Sequence, residues 1–314
     1  MNNRNILTIA ATGLSALGAG MLIYGALVES KRLVVDRFSL RLKNLPERLD
    51  GLKIGVLSDF HIGHSYSIEL AKKSIDLLLD EEPDIVVLLG DFVNFWELDS
   101  PKKLGDVLEP LLIMNGNVIA IPGNHDYRKG SPEILRIILD ELNIKLLRNE
   151  NWTHMGICWV GIDSYNGNAA NVEKAFTDAS DEPRIVLWHE PDLVDQVPSG
   201  EAILQLSGHS HGGQFRFPYG ITPMTSKNGD KYRDGFYPDA STPIFVSRGV
   251  GTTGPPSRFL CPPQVAVLTL SSDQESKTTS LFFFVSQRPN VTPQTLISSP
   301  AHCRPPKRFI PFGF

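Results

Sequence analysis

Asn117-Val118-Ile119-Ala120-Ile121-Pro122-Gly123-Asn124-His125-Asp126 is the stretch on which the reading of the chain turns. Its first half is a short run of apolar and β-branched residues and reads as a buried strand. Its second half places a glycine, an amide, an imidazole and a carboxylate just past the end of that strand. In α/β proteins the loops after strand C-termini are where sites are built. By itself the stretch is ambiguous, because Gly-Asn is a turn signal and His and Asp are ordinary loop residues. Read alone, His125 looks like a metal ligand and Asn124 like a turn residue.

Four more polar clusters follow apolar runs in the same way. Ser58-Asp59-Phe60-His61 follows residues 52–57, and Gly90-Asp91 follows 85–89. His189-Glu190 follows 185–188, and Gly208-His209-Ser210-His211-Gly212-Gly213 follows 202–206. Residues i and i+2 of an extended segment point the same way. Asp59 and His61 are therefore expected to reach one ion, and His209 and His211 the same ion or a close pair. Each cluster has a plain alternative: a loop D-x-H, a Gly-Asp turn, a satisfied core histidine at His189. The ordered set of five is what decides. It offers seven ligands: Asp59, His61, Asp91, Asn124, His189, His209 and His211. Carboxylate, amide oxygen and imidazole together suit Mn²⁺, Fe or Zn²⁺ rather than Ca²⁺. Seven is too many for one four-coordinate zinc and fits two ions with a shared carboxylate.

Working outward, the chain of 314 residues is 41% hydrophobic, enough for one large or two ordinary domains. Its 35 acidic and 30 basic residues leave a formal charge of -5, so no nucleic-acid partner is expected. Cys158, Cys261 and Cys303 form no CxxC pair and no disulfide framework. Residues 6–28 are 23 residues without a charge, the length of a membrane-spanning helix. No A-x-A cleavage site follows, and Arg4 has no second arginine for a twin-arginine signal, so residues 1–31 read as an uncleaved N-terminal anchor rather than a signal peptide. Lys31, Arg32, Arg37, Arg41 and Lys43 follow the run, which places the catalytic domain on the cytoplasmic face of the plasma membrane, an exported orientation being the alternative.

The globular part spans 32–270. Strands are expected at 33–35, 38–42, 52–57, 85–89, 118–121, 157–162, 185–188, 202–206, 244–247 and 265–270. Helices are expected at 66–82, ended by Pro83, at 104–114, at 132–142 started by Ser131, and at 170–179. Alternation of strand and helix argues an α/β domain. The late strands lack intervening helices, which favours two mixed sheets over one doubly wound sheet. Residues 271–314 are Pro-rich and read as mostly unstructured, with 281–285 an apolar exception.

The ordered set D-x-H, G-D, G-N-H-D, H and G-H-x-H resembles the calcineurin-like metallophosphoesterase superfamily, over about residues 52–270. Leu57-Ser58-Asp59, Gly90-Asp91-Phe92-Val93-Asn94, His189-Glu190-Pro191-Asp192, the run 206–214, Lys231-Tyr232-Arg233-Asp234-Gly235 and Val246-Ser247-Arg248-Gly249 are similar to its YkuE/YaeI-like membrane-associated phosphodiesterases. That branch includes UDP-2,3-diacylglucosamine pyrophosphatases. The resemblance implies two mixed β-sheets packed as a sandwich flanked by helices (α/β/β/α). It implies that Asp59, His61 and His211 hold one metal, that Asn124, His189 and His209 hold a second, and that Asp91 bridges both. Phe60 stands where many relatives have leucine. A pair of divalent ions, Mn²⁺ favoured, would supply hydroxide to cleave a phosphodiester or pyrophosphate bond. His125 is then the proton donor to the leaving oxygen, with Asp126 orienting its ring.

Asn94, Tyr127 and Arg248 are candidates to contact phosphate or head group, and His64 is weighed between substrate contact and a solvated loop. His154 and His302 read as structural or solvent-facing, and Cys261 as a packing residue. Two other functions stay open. One is a phosphoprotein or phosphomonoester phosphatase on the same fold, for which no protein-docking segment is evident. The other is a non-catalytic metal-binding membrane scaffold.

Overall fold

In a computed structural model of the protein, residues 3–63 and 65–272 are described. The expected contact at His64, His302, and all of the 271–314 tail beyond Ser272 lie outside the described residues. The chain runs α1 (Asn3–Leu27), β1 (Val34–Leu42), β2 (Lys53–Leu57), α2 (Ser65–Leu79), β3 (Ile85–Leu88), α3 (Ser100–Leu108), β4 (Val118–Ala120), α4 (Pro132–Glu141) and β5 (Lys145–Leu146). It continues with β6 (Glu150–His154), β7 (Ile157–Ile162), α5 (Val172–Phe176), β8 (Arg184–Trp188), β9 (Leu204–Ser207), β10 (Gly235–Tyr237), β11 (Ile244–Val246) and β12 (Gln264–Ser272).

The strands form two six-stranded mixed sheets, ordered β1-β12-β2-β3-β4-β5 and β10-β11-β9-β8-β7-β6. In the first, β2 to β5 are parallel and β12 is antiparallel to β2. In the second, β7, β8, β9 and β11 are parallel, while β6 and β10 pair antiparallel at the edges. Apolar alternation along each strand builds the layers. In β3, Val86 and Leu88 face α2, α3 and α4, meeting Ile75, Leu104 and Leu135. Ile85 and Val87 face the other sheet, meeting Trp159, Ile185 and Leu204. Beyond the second sheet, Val160, Val186 and Trp188 pack with Ala175 of the short α5. The order is α/β/β/α, as the late helix-free strands imply.

Among the boundaries that differ from the sequence reading, three are instructive. The helix expected over 104–114 is α3 followed by a 3₁₀ segment, Glu109–Met114. Pro110 has no N–H to continue the α ladder, which forces the change. The helix expected over 170–179 is only five residues, capped at its start by the Asn171 side chain. Strand β12 passes the expected boundary at 270: Ser271 and Ser272 pair with Arg41 and Leu42. Strands β5, β6 and β10 went unread because they are two or three residues long or, in Glu150–His154, polar along an edge. Helix α4 begins where expected, with Ser131 Oγ accepting from the Glu133 N–H.

The expected anchor folds as one helix of 25 residues, α1. Among the described residues no helix is long and apolar enough to cross a membrane, so the helix is present and a membrane span is not established.

Candidate metal centre

Strands β2, β3 and β4 of one sheet and β8 and β9 of the other end at the same edge of the sandwich, so their loops meet there. The loops are laced together. Asp59 N–H donates to Gly90 O at 2.9 Å and His61 N–H to Asp91 O at 3.0 Å. His209 N–H donates to the Asp59 carboxylate at 3.1–3.2 Å, and the His189 ring reaches Leu89 O at 2.6 Å, each crossing from one sheet to the other. Gly90 and Gly123 are where two loops touch: a Cβ at Gly90 would overlap the Gly123 backbone, and one at Gly123 would overlap Asp91. This is why both polar clusters begin with glycine.

All seven sequence-derived ligands converge at this edge. Asp59, His61 and His211 form one group, Asp91, His189 and His209 another, and His61, Asp91 and His125 a third between them, with candidate ligand atoms within 4.8 Å of one another in each. His61 Nε2 and His211 Nε2 are 3.0 Å apart, and Asp59 Oδ1 is 3.5 Å from the latter. Asp91 Oδ1 accepts from His125 N–H at 2.7 Å, which leaves Oδ2 between His61 Nε2 (3.5 Å) and His189 Nε2 (3.2 Å). One carboxylate oxygen thus stands between the two groups. Asn124 Oδ1 is buried without a protein donor, an arrangement that a cation would satisfy.

The convergence does not come from the pleat of extended strands. Asp59, His61, Asp91, His209 and His211 all have left-handed backbone, with φ of 54°, 47°, 55°, 68° and 50°. Residues other than glycine seldom adopt this region, at a cost of about 1–3 kcal/mol each, and they cluster at functional sites. The i, i+2 reading therefore found the right pairs for the wrong reason: tight kinks, not alternation, turn the side chains inward.

Imidazole polarity follows from the outer hydrogen bonds. His189 Nδ1 donates to Leu89 O, which leaves Nε2 to ligate. His209 Nε2 is 2.8 Å from Lys227 O, so it carries the proton and Nδ1 is left. Burial pushes the His61 and His211 rings well below the usual histidine range, with the Arg258 charge adding to the effect at His211. Both are thus neutral, the form that binds metal. Burial would raise the Asp91 carboxyl, but the His189 and His61 rings outweigh it and hold Asp91 well below the usual range. Burial opposes a charge on His189, and the Asp91 carboxylate overcomes it and raises that ring. This set of imidazoles, carboxylates and an unpartnered amide oxygen fits two divalent cations.

Around the ligands, several expected roles change. His125 lies edge-on to His61, ring centroids 4.4 Å apart, with Nδ1 paired to Asn94 O at 2.9 Å. Asp126 does not orient that ring. Its carboxylate accepts four backbone N–H groups, from Asp91 (3.0 Å), Phe92 (2.9 Å), Val93 (3.2 Å) and Gly123 (2.8 Å). Asp126 therefore shapes both loops, and burial beside Asp91 pushes it up to about 7. Asn94 acts through its carbonyl. Tyr127 Oη donates to Asp163 at 2.6 Å beside Arg148, turned away from the site. Arg248 is paired with Asp36 at 2.6 Å and donates to Pro262 O, so both side chains already have protein partners. Cys261 is buried as a packing residue, its thiol against His211 O, and His154 is structural, bonded to Asn117 and stacked on Trp152.

Beside the centre opens a cavity of about 340 Å³, lined by ligand residues and by Arg128, Asn166, Ser226, Lys227 and Thr253. None of these five stood out in the sequence. Asn166 is fixed by the buried Glu190 carboxylate, which accepts from Ser164 Oγ and from the Tyr165 and Asn166 N–H groups. Its amide reaches His209 Nε2 at 3.3 Å and Lys227 O at 2.9 Å. Glu190 beside His189 was the one available signal, and Arg128, two residues after Asp126, the other. Arg128 and Lys227 are exposed and form no ion pair within 4 Å among the described residues.

A family model described as calcineurin-like phosphoesterase matches residues 52–213. The uncharacterized metallophosphoesterase YkuE of Bacillus subtilis (strain 168) is 28% identical over 278 residues, covering 82% of this chain and 94% of its own. An uncharacterized metallophosphoesterase of Helicobacter pylori (strain ATCC 700392 / 26695) is 32% identical over 244 residues, covering 73% of this chain, which spans 64% of that protein's length. Among solved structures, Pseudomonas putida nuclease MPE is similar with a TM-score of 0.36 and 22% identity, covering 64% of this chain and 77% of that one.

Proposed function

The chain belongs to the calcineurin-like phosphoesterase family, and from that premise we propose that it is a phosphodiesterase or pyrophosphatase working with two divalent cations on a membrane-associated substrate. Phosphoester hydrolysis follows from the family; the bond cleaved and the substrate are our reading. The observation that carries the dinuclear part is Asp91 Oδ2 between His61 Nε2 and His189 Nε2. Asp59, His61 and His211 would hold one ion, Asn124, His189 and His209 the other, and Asp91 both. Mn²⁺ is favoured by the oxygen and imidazole mixture, with Fe or Zn²⁺ as alternatives. When bound, such a pair supplies a nucleophile near neutral pH and neutralises phosphate oxygens.

The chain's own residues do the rest. His125, fixed through Nδ1 on Asn94 O, presents Nε2 as the proton donor for the leaving oxygen. Asp126 keeps the loops of Asp91 and Gly123 in register through its four N–H contacts. Arg128 and Lys227, at the mouth of the cavity, attract an anionic group beyond the scissile phosphate. A second phosphate is such a group, which supports a nucleotide-linked lipid such as UDP-2,3-diacylglucosamine. The uncharged run 6–28, in α1 up to Leu27, supports an anchor in the plasma membrane, and the basic residues after it support a cytoplasmic domain. No protein partner is called for.

The full chain, purified in detergent with Mn²⁺, should hydrolyse an aryl phosphodiester and UDP-2,3-diacylglucosamine faster than an aryl phosphomonoester. Preference for the monoester would replace this reading with a phosphatase. Absence of metal-dependent hydrolysis of all three would leave a metal-binding scaffold.

A further inference from the structure

We propose that Arg258 is a positioning residue for the Asp59 and His211 side of the metal centre, and that helix α1 holds Arg258 in place; the inference rests on the dinuclear reading above. Arg258 is fully buried at 0% exposure and has no carboxylate within ion-pair distance among the described residues. A buried guanidinium without an anion is costly unless its N–H groups are satisfied. Here they go to main-chain oxygens. Nε donates to Gly251 O at 3.1 Å, Nη2 to Arg248 O at 2.9 Å and Gly249 O at 3.2 Å, and Nη1 to Cys261 O at 3.3 Å and His211 O at 3.4 Å. Nη2 also stands 3.4 Å from His211 Nδ1.

The carbonyls that Arg258 gathers belong to segments that shape the ligands. Val250 N–H donates to Ser58 O at 2.9 Å and Gly251 N–H to Asp59 O at 2.7 Å. The 248–251 turn therefore presses on the Asp59 backbone while the same guanidinium grips His211. Both ligands have left-handed backbone, a conformation that persists only where the surroundings enforce it. Arg258 does not line the cavity, so its place argues for holding the ligands and not for contacting substrate.

Arg258 is itself held from outside. Its N–H donates to Gly25 O at 3.3 Å, and Ser257 Oγ donates to Leu22 O at 3.1 Å. The Tyr24 ring meets Phe259 edge-on at 6.2 Å. Gly25 is the contact point: a Cβ there would overlap Ser257 Oγ and the Arg258 carbonyl. Residues 22–25 and 257–261 both fall outside the 52–213 stretch matched by the family model. The last turn of α1 thereby forms part of the frame of the first metal's ligands.

The test uses the full chain in detergent, stripped of metal and titrated with Mn²⁺ by calorimetry and electron paramagnetic resonance. Wild type should bind two ions and show the coupled signal of a pair. Arg258→Met should keep one ion at wild-type affinity, weaken the other at least tenfold and lose the coupled signal at stoichiometric metal. Arg258→Lys, which keeps the charge but not the planar fork of donors, should recover only part of this. Gly25→Val leaves every ligand in place and should weaken the same ion several-fold. If Arg258→Met does not fold, as judged by circular dichroism, Gly25→Val and Arg258→Lys decide. Two ions at wild-type affinity in the folded variants overturn the inference and leave the dinuclear reading standing. Fewer than two ions in the wild type overturns that reading, and the inference falls with it.

Discussion

The two halves of the metal centre are built differently. On the Asn124, His189 and His209 side, each imidazole has a main-chain carbonyl on its outer nitrogen: Leu89 O for His189 and Lys227 O for His209. On the Asp59, His61 and His211 side no such partner exists among the described residues. His61 Nδ1 is buried without a partner, and His211 Nδ1 faces only the Arg258 guanidinium. Carbonyl partners fix the tautomer and orientation of a ligating ring and raise its basicity. One half is thus preorganised ring by ring, and the other is held mainly through its backbone. The half built through the backbone should bind its ion more weakly.

Four measurements break or sharpen this comparison. The largest effect is expected for Asp91→Ala, which removes the carboxylate between the halves. Both ions should be lost and turnover should fall below detection while the circular dichroism spectrum is retained; full activity would sink the shared-ligand assignment. His125→Ala comes next. It stands outside both ligand sets, so metal content should be unchanged while kcat falls ~10²–10⁴-fold with a poor leaving group and much less with a good one. Burial, helped by the Arg128 charge, lowers the His125 pKa. The protonated donor is therefore present below that lowered pKa and is lost as pH rises through it, so the wild-type to His125→Ala rate ratio should shrink with rising pH.

Chelation should then separate the halves directly. With graded chelator, an ion should leave the Asp59, His61 and His211 side first, with an affinity gap of ~10–100-fold of the kind that outer hydrogen bonds confer. Equal release of both ions would remove the asymmetry. The smallest effect is expected for Asn166→Ala, which removes the amide that donates to Lys227 O, the carbonyl that also holds the His209 ring. It should weaken only the better-held ion, by ~10-fold at the low end of the same range, as read by metal titration. An effect on the other ion alone would mean that the halves are not independent.

Much of this was legible because burial leaves a local trace. Runs such as Ile85–Leu88 are apolar along their whole length because both faces are covered, and the run marks the strand without any long-range knowledge. Polar residues directly after five such runs then located the centre. Edge strands escaped because one side and often one face meet water, so Glu150–His154 carries no apolar signal. Role assignments near the site failed where a side chain's partner is distant in sequence. Asp126 follows His125 and invited pairing with it, yet its acceptors are filled from residues 91–93 and 123. For Arg248 the sequence left a phosphate contact and an ion pair equally open, and β1 brings Asp36 against it from 212 positions away.

By itself the sequence marked the seven candidate ligands, their order along the chain, the strand ends that carry them, and the family. Those depend on residue type and on local spacing, which are written in the chain. Only the tertiary structure decided which nitrogen of His189 and of His209 is left to ligate, that left-handed kinks and not strand pleating aim the ligands, and that Arg258 and the end of α1 brace one half of the centre. Several of these depend on hydrogen bonds between segments far apart in the chain, such as His189 with Leu89 and His209 with Asp59, 100 and 150 residues apart. Such partners are chosen by how the two sheets pack, and no local pattern records that choice.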